Sequence, residues 1–143
     1  MFQLADETGD GPIYDLGSGW GHLVLRLAKR YPQRQIEAYE LSILPWLTSL
    51  VLKKALGLNN LTIHRENFLK ADLSQASVIM CYLHSEAMEA IKEKLCQEGN
   101  KANYLISHNF ALPSYQALKV IRLNDFYQSP VYLYRLNRLS TQV

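Results

Sequence analysis

Glycine is scarce in this chain, seven among 143 residues, and three of the seven fall within five positions: Gly17, Gly19 and Gly21. Cysteine is scarcer. The two present, Cys81 and Cys96, lie in an apolar run and a helical pattern, which argues against a disulfide scaffold and predicts reduced thiols. No apolar run approaches the roughly 20 residues that a bilayer span requires, so no membrane span is expected. The opening MFQLADETGD is acidic and lacks the basic-then-apolar order of a signal peptide. These absences predict a cytoplasmic protein. Charge is nearly balanced as well: 15 Lys and Arg against 13 Asp and Glu leave +2, too little to argue for nucleic acid without a basic stripe. Repeats, low-complexity tracts and linkers are missing too.

What remains is a chain with 48% apolar and 20% charged residues, expected to fold as a single domain over 1–143 around one core. Short apolar runs alternate with helical patterns. Strands are expected at PIYDL (12–16), QIEAYE (35–40), LTIHR (61–65), ASVIMCYL (76–83), ANYLISH (102–108), QALKVIRL (116–123) and PVYLYRL (130–136). Helices are expected at 21–31, with Leu23, Val24, Leu27 and Ala28 inward and Pro32 as the stop, and at 44–57, with Pro45 in the first turn and Gly57 as end cap. Another is expected at 85–95, capped by Ser85 with Met88, Ile91 and Leu95 on one face, and a short one at 69–76. The last strands have no crossover helix between them, so they must pair antiparallel or join distant partners. The fold class is therefore α/β, a doubly wound and mostly parallel sheet of seven strands with an antiparallel C-terminal strand. Ligands of such sheets bind at the carboxyl ends of the strands, at the switch point, and the glycine loop follows the first strand.

The loop IYDLGSGWGHL has no Lys-Ser/Thr pair after its last glycine, so a Walker-type phosphate loop is excluded. Its glycines are also one residue tighter than the dinucleotide fingerprint G-x-G-x-x-G, which with Asp15 argues against a nicotinamide enzyme. Asp15 ends the first strand, where it would repel a pyrophosphate and favour an ammonium group or a ribose. Glu40 ends the second strand, where an acid accepts from ribose hydroxyls. Asn67 and Phe68 follow the third strand and leave two readings open, an adenine contact or an ordinary turn plus core. A ligand with a ribose, an adenine and a cationic tail but no phosphate suits this set, and S-adenosylmethionine has those parts.

DLGSGWG, YEL and ENF, in that order, resemble the motifs of class I S-adenosylmethionine-dependent methyltransferases, over about residues 12–136. The resemblance implies a Rossmann-like sheet with few or no additions. It implies a cofactor site of Asp15, Leu16, Gly17, Gly19, Gly21, Glu40, Leu41, Asn67 and Phe68. YELSILPWL, with ASVIMCYLHSEAMEAIKEKL and ANYLISHNF, is similar to the small lysine methyltransferases of the ATP synthase c-subunit type and their bacterial relatives. Those usually carry an acid where Trp20 stands, and an N-terminal segment that helps close the site. About a dozen residues precede the first strand here, so a lid is expected to be short or absent. Trp20 is expected either to pack over the methionine end of the cofactor or to cover the first helix.

CYLHSE (81–86) follows the fourth strand, where methyltransferases present groups to the nucleophile. Tyr82 and His84 are the candidates to position or deprotonate an amine, a task that suits a neutral imidazole. The bland reading, satisfied polar residues at a strand end, stays open. His108, at the end of strand five, is a further candidate for the same rim. Cys81, His84 and His108 match no zinc spacing, and no metal is expected. His22 and His64 are expected to serve packing or surface, and the basic stretches LKKALG and RLNRL to be solvated faces. The expected reaction is methyl transfer to an amine, a protein lysine or a small molecule. CYLHSE lacks the Asn/Asp-Pro-Pro-Tyr/Phe motif of base-directed amino methyltransferases, so nucleic acid is not favoured. The alternative is a cofactor-binding or catalytically degenerate module acting with a partner.

Overall fold

The computed structural model describes residues 2–99 and 102–136. Seven strands, β1 (Ile13–Leu16), β2 (Ile36–Tyr39), β3 (Leu61–His64), β4 (Val78–Cys81), β5 (Tyr104–His108), β6 (Lys119–Arg122) and β7 (Pro130–Arg135), form one sheet ordered β3-β2-β1-β4-β5-β7-β6. The five strands from β3 to β5 in that order run parallel, and β7 lies antiparallel to both β5 and β6. Leu16 is level with Tyr39 on one side and Cys81 on the other. The carboxyl ends of β1, β2 and β4 therefore share one edge. The chain leaves β1 for β2 and later returns to place β4 on the other flank, which makes the switch point fall at β1.

Four helices cover the sheet: α1 (Phe2–Ala5), α2 (His22–Arg30), α3 (Ile43–Leu56) and α4 (Ser85–Gln97). All four residues of β1 and of β4 are buried, as a parallel sheet covered on both faces requires. On one face Val24, Leu27 and Ala28 of α2 pack with Leu4 of α1, Ile13, Ile36 and Val78, while Trp46 and Leu50 of α3 pack from the rim. On the other, Met88, Ile91 and Leu95 of α4 meet Tyr14, Leu16, Ile79 and Leu105. The C-terminal end of α2 leaves open carbonyls. The Asn60 side-chain amide lies 3.0–3.1 Å from the carbonyls of Ala28, Tyr31 and Arg34, tying that end to the start of β3.

The expected order of elements holds, with local differences. The expected helix at 69–76 is a single 3-10 turn, Phe68–Lys70, followed by irregular chain. Asn67 and Asp72 each accept from the amide two residues on, at 3.0 and 2.9 Å, and such local bonds compete with helix formation. Ser85 is not the cap of α4 but its first residue; His84 holds the cap position without a side-chain bond. β4, β5 and β6 are shorter than their apolar runs because pairing ends where the neighbouring strands end. The residues before β1 fold as α1 and a 3-10 turn (Asp6–Thr8). Arg34 Nε donates to the Gly11 carbonyl at 2.7 Å and Ser77 Oγ to that of Thr8 at 2.9 Å. Those bonds seat residues 2–8 at the amino ends of β1 and β4, away from the glycine loop. Residues 137–139 of RLNRL, and Met1, lie outside the described residues.

Candidate active site

The chain turns out of β1 through Gly17, Gly19 and Gly21, all at positive φ. The amides of Gly17 and Ser18 donate to the Tyr39 carbonyl at 2.9 and 3.0 Å. The Gly19 amide donates to Glu40 Oε2 at 2.8 Å, and Ser42 N–H to Glu40 Oε1 at 3.1 Å. The loop is thereby wrapped around the end of β2. A phosphate nest needs successive free N–H groups, and these three amides are already engaged with protein oxygens.

Asp15 sits one place before the end of β1, level with Ala38 and Met80, and is buried. Burial lifts its carboxyl from the ordinary 3.8 to about 7, with repulsion from Glu40 adding to the effect. The buried Ser18 hydroxyl between the first two glycines has no hydrogen-bond partner among the described residues. Buried polar groups are nearly always paired, so an unpaired hydroxyl beside a buried carboxyl at the foot of one loop marks a place for a ligand. A Cβ on Gly19 would meet nothing within 4 Å; that side of the loop is open. Two carboxyl groups and an idle hydroxyl suit a ligand that brings hydrogen-bond donors and positive charge.

The other expected cofactor residues fall into distinct settings. Leu16 is fully buried on the α4 side, whereas Leu41 is exposed on the way into α3. A Cβ on Gly21 would lie 2.7 Å from Ser49 Oγ; this glycine lets α2 and α3 approach each other. A Cβ on Gly17 would press on the Leu83 side chain at 3.1 Å. Asn67 Oδ1 accepts from Leu69 N–H at 3.0 Å, and Phe68 packs at the edge of the α4-side core. Trp20 is half exposed at the start of α2. His64 stacks on Tyr39 and lies 2.7 Å from Glu37, a structural pair.

The expected acceptor-side residues lie across the sheet edge. The exposed Tyr82 ring stacks on His108 with centroids 4.6 Å apart, and His84 meets Phe110 edge-on at 5.6 Å. The two candidates on the β4–α4 connection thus each rest on a ring from the end of β5. His108 Nε2 is buried without a partner among the described residues, and burial holds its imidazole below the ordinary value. Neutral at pH 7, it can accept a proton or a hydrogen bond. Cys81 is buried and its thiol is pushed up, by burial first and by Asp15 second, so it stays protonated and inert. Ser18 and Phe110 were not foreseen as site residues. The only sequence signals were their places inside GSG and HNF.

The family model described as the ANTKMT methyltransferase domain matches residues 15–119. A protein-lysine N-methyltransferase of Saccharolobus islandicus is 28% identical over 138 residues, covering 94% of this chain and 84% of the relative. The adenine nucleotide translocase lysine N-methyltransferase of Mus musculus is 29% identical over 114 residues, 78% of this chain but only 48% of the relative. Among solved structures, an RNA methyltransferase from Salinibacter ruber in complex with S-adenosyl-L-homocysteine superposes with a TM-score of 0.81 at 22% identity, covering 94% of this chain and 86% of that one.

Proposed function

The chain belongs to the ANTKMT methyltransferase domain family, and from that premise we propose that it methylates lysine ε-amines of proteins, with the residues named below in their several roles. It is a methyltransferase whose cofactor is S-adenosylmethionine. One observation carries the assignment of the site: Asp15 and Glu40, two carboxyl groups repelling each other at the foot of a loop whose first three amides are already bonded. The names of the relatives support a protein lysine as acceptor. The absence of an Asn/Asp-Pro-Pro motif in CYLHSE supports it against a nucleic-acid amine.

The residues present fit the cofactor. Asp15, Leu16, Gly17, Gly19 and Gly21 form the side for its methionine part, with Asp15 countering an ammonium group and the Ser18 hydroxyl free to bond. Glu40 has acceptor capacity left after its two amide bonds for ribose hydroxyls, beside Leu41. Asn67 and Phe68 flank the place for the adenine. The cofactor's sulfonium supplies an electrophilic methyl group. The protein's task is then to hold an amine in line with it, which by itself removes several kcal/mol of barrier. A lysine that enters as ammonium must first lose a proton, and desolvation against the rings of Tyr82, His108 and Phe110 lowers its pKa. Tyr82 and His84 position the amine, and the His84 imidazole takes up that proton.

The test begins with calorimetric titration of S-adenosylmethionine and its demethylated product. Micromolar binding is expected, weakened about tenfold or more by Glu40→Ala (roughly 1.4 kcal/mol). Labelled methyl from the cofactor should then enter protein lysines. Label in RNA and none in protein would overturn the lysine acceptor. No binding by the wild type would overturn the whole reading and leave a module without cofactor.

A further inference from the structure

The charge of this protein is distributed by layer. α2 and α3 carry Arg26, Lys29, Arg30, Lys53 and Lys54 and no carboxylate, whereas α4 carries Glu86, Glu89 and Glu93 beside Lys92 and Lys94. Between Glu40 and Glu66 the chain contains no acid at all. In this layer only Arg30 has an acidic partner, Asp6 of the adjoining turn at 2.8 Å, among the described residues.

The same layer exposes apolar surface. Ile43, Leu47 and Val51 follow one another at four-residue spacing on α3 with Leu44 beside them, and Leu44 and Val51 are 67% and 60% exposed. Side chains so spaced share one helix face, and a contiguous apolar face in water marks an interaction site. Lys54 extends the face three residues past Val51. Lys53 and Lys54 also line an open depression of about 430 Å³ with Leu50, Gly57, Leu58 and Asn59 at the end of the apolar face.

We propose that the α2–α3 layer docks on an anionic lipid bilayer, with α3 in the plane of the interface. Leu44, Leu47 and Val51 face the acyl chains, and the lysines and arginines meet headgroup phosphates. An exposed apolar face with cations beside it and no acid on the helix suits an anionic lipid surface. α3, 14 residues long, is too short to span a bilayer, and among the described residues no helix is long and apolar enough to cross one. The charges choose the lipid over a second copy of the chain. A two-fold pairing through α3 would set the same cationic layer against itself, whereas an anionic surface attracts it. α3 starts three residues after Glu40, and Gly21 rests on the buried Ser49, so docking leaves the glycine loop behind α3, one helix diameter (~10 Å) from the bilayer.

Flotation of the full chain with vesicles tests this. Binding to phosphatidylcholine–phosphatidylglycerol vesicles is expected, roughly tenfold or more weaker on phosphatidylcholine alone, and reduced by salt. Leu47→Glu with Val51→Glu should abolish flotation, as should Lys53→Glu with Lys54→Glu, each with an unchanged circular-dichroism melting temperature. Absence of flotation with the anionic vesicles, or flotation unaffected by either pair, would overturn the proposal. A dimer in light scattering that Val51→Glu disperses, with no flotation, would also overturn it and give the face to a second copy.

Discussion

Replacing Asp15 by asparagine should stabilise the ligand-free protein while impairing it. In the folded chain burial and Glu40 hold the Asp15 carboxyl at about 7 instead of 3.8. Between those values the folded state keeps a proton that the unfolded chain has released. Stability therefore falls as pH rises through that window and levels off above pH 7. At ~1.4 kcal/mol per pH unit the loss reaches ~4 kcal/mol, a large share of the roughly 5–15 kcal/mol by which domains are stable. An asparagine side chain in its place would carry no charge at any pH. At pH 8 the Asp15→Asn variant should melt about 10 °C higher than the wild type, taking ~3 °C per kcal/mol for a chain of this size. At pH 4 the two should melt together. Calorimetric melting at both pH values checks this, and S-adenosylmethionine should bind the variant at least about tenfold more weakly. An equal gain at both pH values, or none at pH 8, would refute a buried carboxyl waiting for a cation. In the wild type, a cationic ligand should lower the Asp15 pKa, so binding below pH 7 should release a proton to the buffer.

Gly21→Ala should cost about 2–4 kcal/mol in urea unfolding, because the new methyl meets Ser49 Oγ at 2.7 Å and the backbone sits at φ +89; adding Ser49→Gly should recover the steric part only. Tyr82→Ala or His108→Gln should lower kcat/KM for the methyl acceptor about tenfold or more while leaving product-cofactor affinity in place. An equal loss of cofactor affinity would remove both residues from the acceptor rim.

Parallel strands buried on both faces are written as short apolar runs, which is why β1 to β5 and the order of elements can be read from residue pattern alone. Asp15 and Glu40 are legible for a related reason: polar residues ending such runs have few places to be except the shared edge. The final strands are less so, since β7 enters the sheet between β5 and β6 against chain order, and only long-range pairing decides that. The 69–76 segment reads as helical by its apolar spacing, but the side-chain bonds of Asn67 and Asp72 win over it.

Within the site, residue types and spacing alone define the glycine loop, the two acids and the preference for a cofactor without phosphate. What each group does there depends on atoms far away in the chain. Gly21 answers to Ser49 on another helix, the loop amides are taken up by Tyr39 and Glu40, and the Tyr82 ring finds His108 on the next strand. The pKa of Asp15 follows from burial, which no local pattern encodes. α3 makes the same point in reverse. Apolar nearly all round, it reads as a helix sunk in a core, yet at the flank of the sheet none of the described residues covers its outer face, which stays exposed. Sequence supplies the chemistry of each side chain; packing decides which groups meet and which are left without a partner.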